Sequence, residues 1–314
     1  MTAADRERST PSPDEAFATL GNETRLNILQ ALGAADGPLA FSALFDRVDV
    51  DDSGRFNYHL GELVGHFVGK TDAGYELRQA GRRVVEAVLS GAVTDAPVVE
   101  RTRIDQRCHY CGAPIEVSYR QDRVLKYCTD CPGRDHPPTS VSDAPAEGYL
   151  GSLPLPPAGV HGRTAAEVYE AAWTWANLEF LSEASGVCSR CSAALDESVT
   201  VCEDHAAADV CAACGNRHAV QFHADCPNCI NDLHGPFVLK LVANTALLAF
   251  LTERGLDPVA PARASIAAVD RVHMTYEEEV RSAAPFEACF TFSAGDDTLS
   301  LTVDDDLQVV DVSR

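Results

Sequence analysis

Eleven of the twelve cysteines in this 314-residue chain share one spacing, in five C-x-x-C pairs and one C-x-x-H pair: Cys108/Cys111, Cys128/Cys131, Cys188/Cys191, Cys202/His205, Cys211/Cys214 and Cys226/Cys229. Random placement would give roughly half of one C-x-x-C pair. Two thiolates three positions apart on a tight turn can both point their sulfurs at one ion about 2.3 Å away. Gly112, Pro132-Gly133 and Gly215 directly follow three of the pairs, where the backbone must curl toward the sulfurs. The expected chemistry is four-ligand metal binding, with three structural Zn2+ ions. Taken in chain order, the pairs give Cys108, Cys111, Cys128, Cys131; then Cys188, Cys191, Cys202, His205; then Cys211, Cys214, Cys226, Cys229. A cross-braced grouping of the last eight ligands, first pair with third and second with fourth, also satisfies the count. Iron of the rubredoxin type suits a four-thiolate set as well.

Other cysteine chemistries fit less well. Residues 1 to 30 hold no long apolar run behind a basic start, so no secretory signal is expected here and disulfides are not the expected chemistry. A catalytic zinc keeps a position open for water, whereas each set here can be closed by four protein ligands. Structural ions of this kind each contribute on the order of 10 kcal/mol to folding. His218 and His223 flank the third set and are candidate substitute ligands, His109 inside the first knuckle is expected to be exposed, and Cys289 in the alternating run 286 to 292 reads as a buried small hydrophobe. The C-terminal helix-plus-sheet unit shows no phosphate loop, Ser-His-Asp arrangement or paired carboxylates, and no enzyme is expected.

These ligands need short hairpins to hold them. Ile115 to Tyr119 with Val124 to Tyr127, and Ala219 to Phe222, read as the strands of zinc ribbons. The N-terminal hundred residues contain no cysteine and read differently. Helices are expected over 14 to 20, over 23 to 32 with Asn22 as cap, over 39 to 48, and over 53 to 64 after a turn, which is helix-turn-helix spacing. On the last of these Phe56, Leu60 and Leu63 must face the core, leaving Arg55, Tyr58 and Glu62 outward with Asn57 and His59 on the flanks. Arg and Asn pair with base edges, and Tyr and His reach phosphate or a thymine methyl. A hairpin follows, Phe67 to Lys70 and Tyr75 to Arg78 about a turn at 71 to 74, then a helix over 81 to 89. A hairpin directly after a recognition helix is a wing. The expected DNA-contact set is Ser53, Arg55, Asn57, Tyr58, His59, Lys70 and Arg78.

Through Leu20-Gly-Asn-Glu-Thr-Arg-Leu-Asn-Ile-Leu29 and Phe56-Asn-Tyr-His-Leu60, residues 14 to 90 resemble the ArsR-type winged helix-turn-helix transcriptional regulators, particularly the salt-loving archaeal members with zinc-ribbon extensions. The resemblance implies DNA contact by Asn57 and Tyr58 and a homodimer formed through the helices near 14 to 20 and 82 to 89. The chain departs from the metal-sensing members, which carry cysteines in or near the DNA-binding helices.

Composition sets the surroundings. Net charge is −22, from 25 basic and 47 acidic residues with only three lysines, which suits a salt-rich cytoplasm. Residues 53 to 134 depart from this, with 12 basic and 10 acidic residues, and would repel an anionic partner least. The first ribbon, with Arg101, Arg103, Arg107, Arg120, Arg123, Lys126 and Arg134, is a candidate extension of a DNA contact. Downstream, Trp173 and Trp175 on a helix over 164 to 182 are expected in a core, with a tryptophan-lined ligand pocket as the alternative. Gly235 to Leu251 reads as one apolar helix, too short to span a membrane; a short helix over 261 to 268 and strands near 271 to 280, 286 to 293, 298 to 303 and 307 to 312 follow.

The expected architecture is α+β: a winged helix-turn-helix domain (14–92), a first zinc ribbon (101–134), a Pro-rich linker (135–162), a Trp-containing helix (163–184), a double zinc-binding module (186–232) and a C-terminal helix-plus-antiparallel-sheet domain (235–314) for regulation or oligomerisation. The expected protein is a cytoplasmic, non-enzymatic transcriptional regulator of a salt-adapted archaeon, binding double-stranded DNA as a homodimer, with no membrane association and an unidentified effector. A zinc-ribbon adaptor that docks on another protein is the alternative.

Overall fold

The computed structural model describes residues 11–133, 147–206 and 210–314. The chain divides into two compact units, residues 1–95 and 96–314. It is a mixture of helices and antiparallel sheets, and among the described residues no helix is long and apolar enough to cross a membrane.

In the first unit α1 (Pro13–Leu20) starts with a capping box between Ser12 and Glu15, and α2 (Glu23–Gly33) starts at Asn22, whose side chain accepts from the Arg25 amide. The next helix, α3, covers only Phe41–Phe45, shorter than the expected 39 to 48: Leu39 is drawn into a bridge with Tyr75, and after Phe45 the chain makes turn bonds, the Arg47 amide to the Leu44 carbonyl and the Val48 amide to the Phe45 carbonyl. Helix α4 (Ser53–Leu63) is capped by the Asp52 carboxylate, which accepts from the Arg55 amide at 2.8 Å. The hairpin β1 (Val68–Thr71) and β2 (Gly74–Leu77) follows, then α5 (Gln79–Leu89). Ile28, Leu29, Leu44, Phe56, Leu60 and Leu63 form the fully buried centre.

The second unit begins with the sheet β3 (Val99–Arg107), β4 (Pro114–Arg120), β5 (Arg123–Cys128) and β6 (Tyr149–Pro154), in sequence order. A two-residue turn joins β4 to β5, with Gln121 and Asp122 both at positive φ, the geometry that matches strand twist. Strand β6 lies inside the stretch expected to be linker. Its alternation was masked by Pro and Gly, but β5 provides a free edge that recruits it. Residues 135–146 of that stretch, and Arg134 at the end of the ribbon before it, lie outside the described residues. The 20-residue α6 (Ala165–Ala184) packs Val168, Tyr169, Ala172, Trp173 and Ala176 on this sheet. Trp175 projects from the other side of α6 and is exposed, contrary to the core placement expected for it.

A three-stranded sheet follows, β7 (Asp196–Val201), β8 (Val220–Asp225) and β9 (Asp232–Pro236). The single apolar helix expected over 235 to 251 is instead the end of β9, a short α7 (Val238–Leu241) and α8 (Thr245–Thr252). Asn244 causes the break: its side chain accepts from the amides of Ala246 and Leu247 and starts a new helix. Helix α9 (Arg263–Met274) then extends into the region expected to be strand, so β10 (Glu277–Ala283) starts late. With β11 (Phe286–Ala294), β12 (Asp297–Val303) and β13 (Val309–Ser313) it forms a four-stranded meander. Phe237, Phe250, Phe290, Phe292 and Leu301 build the core between this sheet and the helices. Cys289 alternates onto the face opposite Phe290 and is only half-buried, so it is no core residue.

Candidate metal centres and candidate nucleic-acid interface

All twelve predicted metal ligands gather into three groups of four whose ligand atoms lie within 4.8 Å of one another. Cys108, Cys111, Cys128 and Cys131 form the first, as expected. Its sulfurs stand 3.8 Å apart for Cys108/Cys131 and 3.5 Å for Cys111/Cys128. Four sulfurs around one ion at about 2.3 Å would be separated by about 3.8 Å, so the donor set fits tetrahedral zinc. Amides point at the thiolates too: those of Asp130 and Cys131 donate to Cys128 Sγ at 3.4 and 3.3 Å. Gly148, at φ +74°, lies against the Cys128 carbonyl, where a Cβ would fall 2.3 Å from the oxygen, so only glycine lets β6 close on this knuckle.

The other eight ligands follow neither chain order nor the cross-braced pattern. They are nested: Cys188, Cys191, Cys226 and Cys229 form one group, and Cys202, His205, Cys211 and Cys214 the other. The strand register decides this. Asp196 pairs with Asp225 at one end of the β7–β8 ladder, and Val201 with Val220 at the other. The knuckles outside the hairpin therefore meet at its open end, and those within the connecting segment meet at its closed end. In the outer group the sulfurs of Cys188/Cys229 and Cys191/Cys226 are 3.7 and 3.5 Å apart. The Asn228 side chain and neighbouring backbone amides lower the Cys191 thiol to about 6. In the inner group, backbone amides from Ala206, Cys214 and Ala213 lower the Cys211 thiol to about 6. Cys202 and Cys229 move the other way, raised to about 11 and about 12 by burial and the neighbouring thiols, so the thiols within a group do not ionise alike. His205 presents Nδ1 3.5 Å from Cys214 Sγ, while its Nε2–H donates to the Arg217 carbonyl at 3.2 Å, which fixes the tautomer a metal needs.

Three knuckles share one construction. The residue after the second cysteine sends its amide back to the first cysteine's carbonyl and sits at positive φ: Gly112, Ser192 and Gly215. His218 and His223 are outside the ligand sets. The first stacks on Tyr276 and donates to the Met274 carbonyl; the second hydrogen-bonds with Thr200. His109 is buried, contrary to expectation, with its ring against Tyr110.

On α4 the core and solvent faces separate as the spacing predicts for Phe56, Leu60 and Leu63. Ser53, Arg55, Asn57 and Tyr58 are exposed, Tyr58 at 59%. His59 is not available for contact: it is buried, its Nδ1 accepts from Arg25 Nε at 3.3 Å, and burial with the nearby Arg25 charge holds its pKa below the usual value. The same Arg25 donates to the Thr19 carbonyl and pairs with Glu62 at 3.6 Å. Arg25 thus ties α2 to one side of α4, a positioning role that its place in the Leu20–Leu29 stretch did not disclose. In the hairpin Lys70 is exposed above the Tyr75 ring, and Arg78 donates to the Gly65 carbonyl, closing the hairpin base. In the ribbon, Arg101 is paired with Glu116, Arg123 bonds Ser152 and Lys126 is buried; Arg103 and Arg107 remain exposed.

Two family models match the chain. One, Domain of unknown function (DUF7347), covers residues 13–88, and the other, Domain of unknown function (DUF7351), covers residues 105–309, more than half the chain. The chain belongs to the DUF7351 family. All twelve ligands lie inside the DUF7351 match, and α4 lies inside the DUF7347 match. No curated protein and no solved structure matches the chain.

Proposed function

We propose that the chain is a sequence-reading, DNA-binding transcriptional regulator in which residues 13–89 act as a winged helix-turn-helix and the three metal centres hold structural zinc. The observation that carries this is the division of α4: Arg55, Asn57 and Tyr58 stand in solvent from a helix whose other side is locked by Phe56, Leu60, Leu63 and the Arg25–His59–Glu62 contacts. A rigid helix presenting an Arg and an Asn can make bidentate contacts to base edges, each worth about 1–3 kcal/mol of discrimination. The β1–β2 hairpin would serve as the wing, with Lys70 toward phosphate. In molar salt, counterion release adds little, so base contacts and fit must supply the affinity.

Zinc bound at each centre would cross-link two knuckles. The chain's own part is to present four deprotonated ligands and close the site to water. In this reading the protein works as a homodimer. In support, α1 buries none of its residues and exposes Phe17 at 74%, and α5 exposes Leu89 at 70%.

The test is selection of genomic duplexes by the full chain in molar KCl, repeated with Asn57→Ala and Tyr58→Ala. A defined motif that both variants read with at least tenfold less discrimination supports the reading. Unchanged motif preference in the variants removes α4 as the reader, and no enrichment at all transfers the function to a protein-docking adaptor.

A further inference from the structure

A cleft of about 830 Å³ lies within residues 96–314, a volume in the range of small-molecule sites. It runs along two sheet edges: Tyr149 to Leu153 of β6 and Asp232 to His234 of β9 border it, each the last strand of its sheet. Trp173 and Phe180 of α6, Val238 and Leu239 of α7, and Met274 of α9 give it an apolar wall.

The polar wall is unbalanced. Lys126 lines the cleft with its side chain only 9% exposed, and its one polar partner among the described residues is Asp270, at 3.5 Å. Asp270 is better supplied, since it also accepts from Trp173 Nε1 at 2.8 Å and the Tyr169 hydroxyl at 3.3 Å. An ammonium has three donors, so a buried lysine is left with unused donor capacity beside a carboxylate that already accepts three hydrogen bonds. Arg123, on the same strand, spends Nε on Ser152 Oγ at 2.8 Å, and its terminal nitrogens bond nothing among the described residues. His273 also borders the cleft, and its buried Nε2 has no hydrogen-bond partner among the described residues. A buried charge with unmet donors is costly unless something supplies acceptors.

We propose that this cleft is a binding site for a small carboxylic acid with an apolar body, its carboxylate taken by Lys126 and its body by the Trp173, Phe180 and Val238 wall. Asp270 already accepts three hydrogen bonds, from Lys126, Trp173 and Tyr169, so it has less to offer a base than Lys126 has to offer an acid. Two cations, Arg123 and Lys126, face two carboxylates, Asp232 and Asp270, in the cleft, so a singly charged acid adds less uncompensated charge than a phosphate ester. The inference does not depend on the DNA-binding reading.

The chain has two tryptophans, and Trp175 is exposed, so Trp175→Phe leaves Trp173 as the sole reporter inside the cleft. The zinc-loaded full chain with this change is titrated in molar KCl with 4-phenylbutyrate and octanoate, and with 4-phenylbutanamide and 4-phenylbutylamine as neutral and cationic counterparts. The expected result is a saturable change in Trp173 emission with the acids, at least tenfold weaker binding of amide and amine, and at least tenfold loss of acid binding in Lys126→Met. Should that variant fail to fold, Ser152→Phe narrows the cleft at its rim and leaves the Lys126–Asp270 pair in place; it too should abolish acid binding. No saturable response to either acid, equal binding of the amide, or full binding by the narrowed variant overturns the proposal.

Discussion

Arg25 and His59 illustrate how a single contact decides which residues a helix offers to a partner. His59 sits one position from Tyr58, yet its imidazole accepts from Arg25 while the phenol next to it is exposed. His59→Ala should therefore act on stability, lowering it by about 1–3 kcal/mol because the Arg25 Nε donor loses its partner, with motif preference unchanged. Urea melts and duplex selection on the same variant separate the two effects. His273 gives a second residue-scale expectation. Burial lowers its pKa to about 4 against an ordinary value of about 6.5, so between these values the unfolded chain binds the extra proton. Stability then rises with pH across that window and falls as pH drops through it. Between about pH 7 and pH 5.5 this one group should cost about 1 kcal/mol, and His273→Gln should show a pH dependence flatter by that amount in denaturant midpoints. An identical slope in the variant would assign the proton uptake elsewhere.

Among the elements, the β7–β8 hairpin does the sorting of ligands. Its antiparallel register sends the pairs before β7 and after β8 to one end and the two pairs of the connection to the other. Replacing Cys202, His205, Cys211 and Cys214 together should leave two zinc ions per chain by native mass spectrometry, since the outer group keeps all four ligands. Chain-order pairing requires only one to remain, because each of the last two sites would lose half its ligands. The break between α7 and α8 is a smaller case: Asn244→Ala removes the acceptor for two amides and should cost about 1 kcal/mol in thermal or urea unfolding. A negligible effect would mean that packing of Leu247, Phe250 and Leu251 alone sets the helix start.

At the scale of the whole molecule, the metal ligands all belong to the second unit, and residues 1 to 107 contain no cysteine. Zinc held at the three candidate sites would contribute on the order of 10 kcal/mol each, more than the roughly 5–15 kcal/mol net stability of an ordinary domain. Chelation should thus unfold residues 96–314 while the amides of α2 and α4 keep their protection in hydrogen exchange. Simultaneous loss of protection in both units would overturn the separation. The acidic charge belongs to this scale as well. With 47 acidic against 25 basic residues, lowering salt from molar to millimolar concentration lengthens the screening distance and should destabilise the chain through self-repulsion.

Some of this was determined by the sequence alone. Ligand identity, ligand number and the four-fold character of the sites follow from the C-x-x-C spacing, because knuckle geometry is local and depends on a few residues and a positive φ. The helix and hairpin order of the first unit was also legible, since Asn22 caps α2 by a local hydrogen bond and Phe56, Leu60 and Leu63 keep helical period. Tertiary structure decided the rest. Which knuckles share an ion depends on the pairing of β7 with β8 across some twenty intervening residues, and no local pattern encodes a register. The burial of His59 and His109, the exposure of Trp175 and the meeting of Lys126 with Asp270, 144 positions away, likewise arise from contacts between distant segments. Spacing sets which atoms can cooperate within a turn; only packing sets which turns meet.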